Sequence, residues 1–333
     1  MTEVIDSYRD EVMGTDLATL DDSQLDLYFK LHQKVNAKNQ ETSKTYKNNI
    51  LVKFEDISEL HYKIIQSITS LRGRPESLAV RVVVAHNEGE ADKFNSFEEF
   101  KLHNITSPNP TSEIAVAYDF HCVDSEFNDV ETYKVVVNLK SRIGELSEIE
   151  KEAPSFISSS ILSSLVTPTA RIKVEYSDYV KARHFIAMFD EWVKGCDESK
   201  EVPYLNGIKS YSHFIPKLGR PIVVAILGFY VTVSLSANPI DTSKLVEFAV
   251  FYASVFYIVI QLADLCLSKL EGSIDSYIAL SYLNINKGDG KLIMDFKGRN
   301  RKSIFGAAVS FLGVIILGVF SSAVYDLIKS TIG

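Results

Sequence analysis

Three long stretches almost free of charge, all in the last third of the chain, constrain its architecture more than any other feature. Pro221–Ala237 (PIVVAILGFYVTVSLSA) contains no charged residue. Leu245–Leu267 contains only Glu247 and Asp264, each near one end, and Ser303–Tyr325 contains none. At 1.5 Å rise per residue, about 20 residues cross the roughly 30 Å hydrocarbon layer of a bilayer. Stretches of 17, 23 and 23 residues therefore suit three helical spans. One such stretch would pass as a core helix of a soluble domain; three in close succession are expected to be transmembrane.

The formal charge of −8 conceals a division. Residues 1–210 hold 24 Lys/Arg against 35 Asp/Glu, and residues 211–333 hold 11 against 8. The expected organisation is an acidic ligand-binding or sensor domain over 1–210 and a membrane domain over 211–333. A generally basic nucleic-acid coat is excluded. With 19 Phe, 16 Tyr and only 3 Cys, so are a disordered chain and a disulfide framework.

Lysine and arginine in the flanks set the expected orientation. Lys209, Lys217 and Arg220 precede the first span, and Lys244 alone lies between the first two. The segment 268–302, read as a basic loop, carries Lys269, Lys287, Lys291, Lys297, Arg299, Arg301 and Lys302, whereas only Lys329 follows the third span. The positive-inside bias then places 1–220 and 268–302 in the cytoplasm and the C-terminus outside, as in a multi-pass inner-membrane protein. The acidic opening MTEVIDSYRDEV does not resemble a signal sequence. Cys122 and Cys196 would lie in a reducing compartment, so no disulfide is expected.

The N-terminal domain reads as α+β, with helices and a mainly antiparallel sheet. The first 75 residues are expected to be helical, with helices over Asp21–Ala37 and Asp56–Leu71. Leu78–Ala85, Glu113–His121 and Thr132–Leu139 each place their larger apolar residues on one face, and Arg171–Tyr176 alternates Ile172, Val174 and Tyr176 with Arg171, Lys173 and Glu175, the mark of strands with one buried face. The segment Val123–Val130 would join two of them as a long hairpin, and Ser155–Ser164 reads as a short helix or loop. A helix over Asp178–Lys194 offers Val180, Phe185, Met188, Phe189, Trp192 and Val193 as a cover for the sheet.

The opposite face of that sheet would present Arg81, Asp119, His121, Lys134, Asn138, Arg171 and Lys173. Arg81, His121, Lys134, Arg171 and Lys173 are the candidate ligand-binding residues, for an anion such as a nucleotide or a short nucleic acid. The alternative is a solvated face laced by cross-strand ion pairs. No phosphate-binding glycine loop, dinucleotide fingerprint, H-E-x-x-H or G-x-S-x-G motif is present. The three cysteines lack metal-site spacing, and His121 and Cys122, adjacent on a strand, point to opposite faces. His86-Asn87-Glu88-Gly89-Glu90, at a strand end, reads equally as a ligand loop or a plain turn. No enzymatic activity, metal or cofactor is expected.

Along the second span Glu247, Ser254, Gln261 and Ser268 fall seven residues apart, with Asp264 one turn from Gln261. Intramembrane carboxylates cost roughly 2.5–3.5 kcal/mol each at mid-membrane, so such groups face a bundle interior or water. In a homo-oligomer, a tetramer being one closed arrangement, this stripe would line a pore with acidic rings near both mouths, which favours cations. The alternative places Glu247 and Asp264 in the interfaces and leaves Gln261 to bond a neighbouring helix. Gly228, Thr232 and Ser236 in the first span, and Gly306, Ser310, Gly313, Gly318 and Ser322 in the third, form small-residue stripes that allow close helix approach. Lys297, Arg299, Arg301 and Lys302 either bind anionic membrane lipid or serve as the topology signal alone.

The layout of a motif-poor α+β domain followed by a C-terminal cluster of spans resembles the membrane effectors of bacterial anti-phage defence systems, and most of all the channel effectors of the Hailong system. The resemblance covers the whole chain and rests on layout, not on a diagnostic motif. It implies an oligomeric ion channel held closed by a short single-stranded DNA that a partner nucleotidyltransferase makes. Losing the ligand would open the pore, depolarise the membrane and arrest growth. A membrane-anchored adaptor whose soluble domain binds a protein partner is the competing expectation.

Overall fold

The sheet predicted from period-2 alternation is the centre of the N-terminal domain. The computed structural model describes residues 40–71, 74–123, 130–154, 162, 168–199, 205–237 and 239–332. The helix expected over Asp21–Ala37, most of Val123–Val130 and most of Ser155–Ser164 lie outside these residues.

The strands are β1 (Gln40–Tyr46), β2 (Ile50–Lys53), β3 (Arg74–His86), β4 (Ala91–Phe94), β5 (Thr111–Val123), β6 (Val130–Lys140), β7 (Ala170–Tyr176), β8 (Asp197–Glu198) and β9 (Tyr282–Asn284). Six of them form an antiparallel sheet in the order β1-β7-β6-β5-β3-β4. On its inner face Val82, Val84, Ile114, Val116, Tyr118, Phe120, Tyr133, Val135, Val137, Ile172 and Val174 are almost wholly buried. The helices α1 (Phe54–Ser70) and α4 (Tyr179–Gly195) cover that face. Ile57, Leu60, Ile64 and Ile68 descend from the first, and Phe185, Phe189, Trp192 and Val193 from the second, each set at helical spacing. Two short helices, α2 (Phe97–Lys101) and α3 (Arg142–Glu152), flank the sheet.

The expectation of an all-helical first 75 residues is corrected over 40–53. Gln40–Tyr46 (QETSKTY) pairs along its whole length with β7, and Ile50–Lys53 enters a second, three-stranded sheet of order β8-β2-β9. In Gln40–Tyr46 strand pairing overrides a sequence with little apolar pattern of its own.

His61, on α1, is 8% exposed and stacks on Phe97 with ring centroids 3.8 Å apart. Its Nδ1 lies 3.1 Å from the Tyr118 hydroxyl. Burial, with the nearby Lys101 ammonium adding to it, pushes the imidazole down to about 4, while Glu98 acts weakly the other way. The unfolded histidine titrates near 6.5. The folded pKa being the lower, this contribution is complete above pH ~6.5 and is lost as pH falls through 4, for a total of about 3 kcal/mol. Urea midpoints of the full chain, followed by the fluorescence of the single tryptophan, Trp192, should fall between pH 6.5 and 4.5. His61→Gln, which keeps a partner for Tyr118, should flatten that slope; a wild-type midpoint constant over the interval would contradict the assignment.

A short helix α5 (Leu205–Ser210) leads into three long ones, α6 (Phe214–Ala237), α7 (Leu245–Asp275) and α8 (Lys287–Ile332). All three are long and apolar enough to cross a membrane. Within their most apolar windows only 6–11% of residues are buried inside the chain, so these helices turn most of their apolar surface outward. Exposed Ile226, Phe229, Phe251, Ile258, Ile316 and Phe320 exemplify it. Such a surface needs lipid or other protein as its solvent. The first span is longer than its uncharged core, since α6 begins at Phe214 and carries Pro221 in its interior.

The segment 268–302 is not a loop. It is the last part of α7, the strand β9 and the first part of α8. Leu51, Val52 and Lys53 of β2 pair in parallel with Tyr282, Leu283 and Asn284, and Leu283 and Ile285 enter the core of the N-terminal domain. Ile278, Leu280, Tyr282, Ile293 and Phe296 pack with Ile143 and Leu146 of α3. At 46 residues α8 is about 69 Å long, more than twice a hydrocarbon layer. Its first four turns pack against the N-terminal domain.

Candidate functional sites: the open sheet face, the helix joint and the polar stripe

The outer face of the six-stranded sheet displays the residues that alternation assigned to it, and strand register fixes how they sit. One row runs Arg81, Ala117, Val136, Lys173; the next runs Ala79, Asp119, Lys134, Glu175; a third runs Val83, Ala115, Asn138, Arg171. Arg81 and Lys173 are thus three strand spacings apart, about 14 Å, across a floor of Ala117 and Val136. Lys134, Arg171 and Lys173 gather on β6 and β7, whereas Arg81 and His121 lie off that cluster. Carboxylates interleave with the cations. Arg81 donates to Asp119 at 2.5 Å, and Lys173 donates to Glu41 at 2.6 Å and contacts Glu175 at 3.1 Å. Lys173 holds the Glu41 carboxyl below the usual carboxylate range. His121 Nδ1 is 3.1 Å from the Thr132 hydroxyl. Among the described residues, Lys134 and Arg171 have no hydrogen-bond or ion-pair partner.

The joint between the sheet and α8 is more elaborate than the sequence reading anticipated. Asn286 and Asp289 form a reciprocal cap: the Asp289 amide donates to Asn286 Oδ1 at 2.9 Å, and the Asn286 amide donates to Asp289 Oδ2 at 3.1 Å. Asp289 is 2% exposed and also accepts from the Ile285 amide (2.9 Å), the Thr111 amide (2.6 Å) and the Thr111 hydroxyl (3.2 Å). Asn286 Nδ2 donates to the Asn109 carbonyl at 3.1 Å. Gly288 leaves room for the Pro108 backbone; a Cβ there would overlap the Pro108 carbonyl. Nearby, His103 brings one ring nitrogen to 2.9 Å from the Phe100 carbonyl and the other to 2.9 Å from the Ile285 carbonyl. The start of the longest apolar helix is therefore bolted to the β5 end of the sheet. The spacing Asn286-x-x-Asp289 ahead of an apolar run was the sequence signal for this cap.

His86-Asn87-Glu88-Gly89 forms a tight turn in which Glu88 adopts φ 73°. Asn87 is buried and donates to the Gly144 carbonyl and the Ser147 hydroxyl at 3.3 and 2.9 Å, tying the turn to α3.

In α7 Phe248, Val259, Ala263 and Leu267 face the chain's own helices, while Glu247, Ser254 and Gln261 are exposed on another side. Asp264 is half-buried. Ser254 returns its hydroxyl to the Val250 carbonyl at 2.9 Å. The stripe that sequence spacing singled out is thus turned away from α6 and α8. The small residues of α8 serve packing within the chain: a Cβ on Gly306 would meet Ser273 Oγ at 2.8 Å, and one on Gly313 would meet Cys266 Sγ at 3.2 Å. Around Gly228 and Gly318 there is open space. At the far ends of the helices Tyr325 is buried among Tyr230, Phe248 and Tyr252, each with ring centroids 5.6–5.8 Å from it. No protein-family model matches the chain, and no curated protein is significantly similar to it.

Proposed function

We propose that the chain is the subunit of an oligomeric membrane channel controlled by its cytoplasmic N-terminal domain. The observation that carries this reading is the stripe Glu247, Ser254, Gln261, polar and exposed within the largely apolar stretch Leu245–Leu267. A lone chain would leave it against lipid; copies arranged around an axis would give it water and one another. The joint at Asn286 and Asp289 supports control from the soluble domain, because it links the sheet to α8 without a flexible linker. The cations Lys134, Arg171 and Lys173 are suited to an extended anionic ligand, a nucleotide or a short single-stranded DNA. With the resemblance to Hailong effectors, the biological role is anti-phage defence by depolarisation of the inner membrane and growth arrest.

The pairing of Arg81 and Lys173 with carboxylates favours the second reading, an anchored adaptor whose sheet face meets a protein. One experiment separates the two. The full chain, purified in detergent, is weighed for oligomeric mass and for any bound nucleotide, then placed in planar bilayers. A channel subunit gives a closed oligomer and discrete currents; a monomer without current makes it an adaptor.

A further inference from the structure

α7 and α8 together form an open groove of about 950 Å³. The two helices touch at Gly306 and Ser273, at Gly313 and Cys266, and at Ser303, whose hydroxyl donates to the Ser273 carbonyl. Gly272 and Gly298 are in the lining, and a Cβ on either would meet nothing within 4 Å. These glycines leave space in the groove; helix contact does not require them.

We propose that this groove binds the phosphate of an anionic membrane lipid, with an acyl chain lying along Phe305 and Val309. The proposal rests on the reading that α6, α7 and α8 cross the membrane. Lys269 follows the apolar stretch that ends at Leu267, and Lys302 immediately precedes the one that begins at Ser303. Both line the groove, both are exposed, and neither has an ion-pair or hydrogen-bond partner among the described residues. Arg299, on the same wall, is already engaged by both Glu150 oxygens at 3.0 Å. The one carboxylate in the lining, Asp295, lies two helical turns from Lys302 toward the soluble domain, about 10 Å away along the axis. Two uncommitted ammonium groups that open on one groove suit a phosphate, which lysine binds as a point charge. Along α8 beyond Lys302 the wall turns apolar, with Phe305 69% and Val309 51% exposed. A soluble phosphate would use only the cationic half of this surface, whereas a phospholipid uses both.

The test uses the full chain in nanodiscs of phosphatidylcholine with and without phosphatidylglycerol, followed by release into the mass spectrometer and counting of retained lipid. The wild-type chain should retain phosphatidylglycerol over phosphatidylcholine. The Lys269→Gln/Lys302→Gln pair should reduce that preference about tenfold or more. Gly298→Leu, which fills the groove without changing charge, should reduce retention of phosphatidylglycerol comparably. Parental retention in both variants overturns the proposal. So does inorganic phosphate binding the chain in lipid-free detergent with no selection between the two lipids, which would assign the lysines to a soluble anion. Alkaline carbonate extraction keeps the underlying reading separate: release of the chain from membranes refutes membrane insertion, while an integral chain without lipid preference refutes the groove alone.

Discussion

Asp289→Ala should be among the most destabilising single substitutions in the chain, with a loss of about 4 kcal/mol. The carboxylate accepts from three backbone amides, those of Thr111, Ile285 and Asn286, and from the Thr111 hydroxyl. Thr111 is 0% exposed and Asn286 5%, so water cannot replace the lost acceptor. Each buried donor left without a partner costs roughly 1–3 kcal/mol, and a domain's whole stability is about 5–15 kcal/mol. Asp289→Asn keeps one acceptor oxygen but turns an NH₂ toward donors, so it should recover less than half of the loss. Gly288→Ala attacks the same joint by overlap with Pro108, without touching a hydrogen bond. Urea unfolding of the full chain in detergent, read from Trp192, measures all three. An Asp289→Ala midpoint within experimental error of wild type would show that α8 is not rooted in the sheet through this cap.

The joint also marks the boundary of what local sequence pattern can reveal. The central strands announced themselves because one face of each is buried, so larger apolar residues such as Val80, Val82 and Val84 or Tyr133, Val135 and Val137 recur at every second position. The three apolar helices were equally legible, since nothing but their own composition is needed to recognise them. β1 was not: in QETSKTY only Tyr46 is buried, and the strand exists because β7 offers it a ladder. β9 was hidden for another reason. Its three residues pair with Leu51–Lys53, more than two hundred positions away, and no local periodicity reports a partner at that separation. Hence 268–302 read as a basic loop although it carries the strand and cap that tie the apolar helices to the sheet.

For the outer sheet face, alternation named the residues but not their neighbours. That Asp119 lies beside Lys134, or that Arg81 is about 14 Å from Lys173, depends on strand order, which single-strand patterns do not encode. The result is a surface in which Lys134 and Arg171 have no ion-pair partner among the described residues, whereas Asp119 holds Arg81 and Glu41 and Glu175 hold Lys173. A phosphate-bearing ligand seated on this face should therefore depend on β6 and β7 more than on β3.

Substitutions in the α7 stripe should change ion conduction more than any others. Glu247 and Asp264 are 17 residues apart, about 26 Å along the helix, close to the thickness of a hydrocarbon layer. In an oligomer each would form a ring of carboxylates near one mouth, where a narrow low-dielectric passage concentrates the field and with it the local cation population. Asp264→Asn removes the ring on the soluble-domain side and should lower single-channel cation current roughly tenfold at low salt, with a smaller effect at high salt where screening has already weakened the ring. Gln261→Leu acts differently. It replaces the polar group between the two rings with a branched apolar one, and a hydrophobic constriction conducts only when wetted, so current should disappear at every salt concentration. Val246→Leu, on the exposed apolar surface of the same helix, is the control and should conduct as wild type. If the three variants carry the same current, the conducting path does not follow this stripe, and Glu247, Ser254 and Gln261 contact neighbouring helices instead of water.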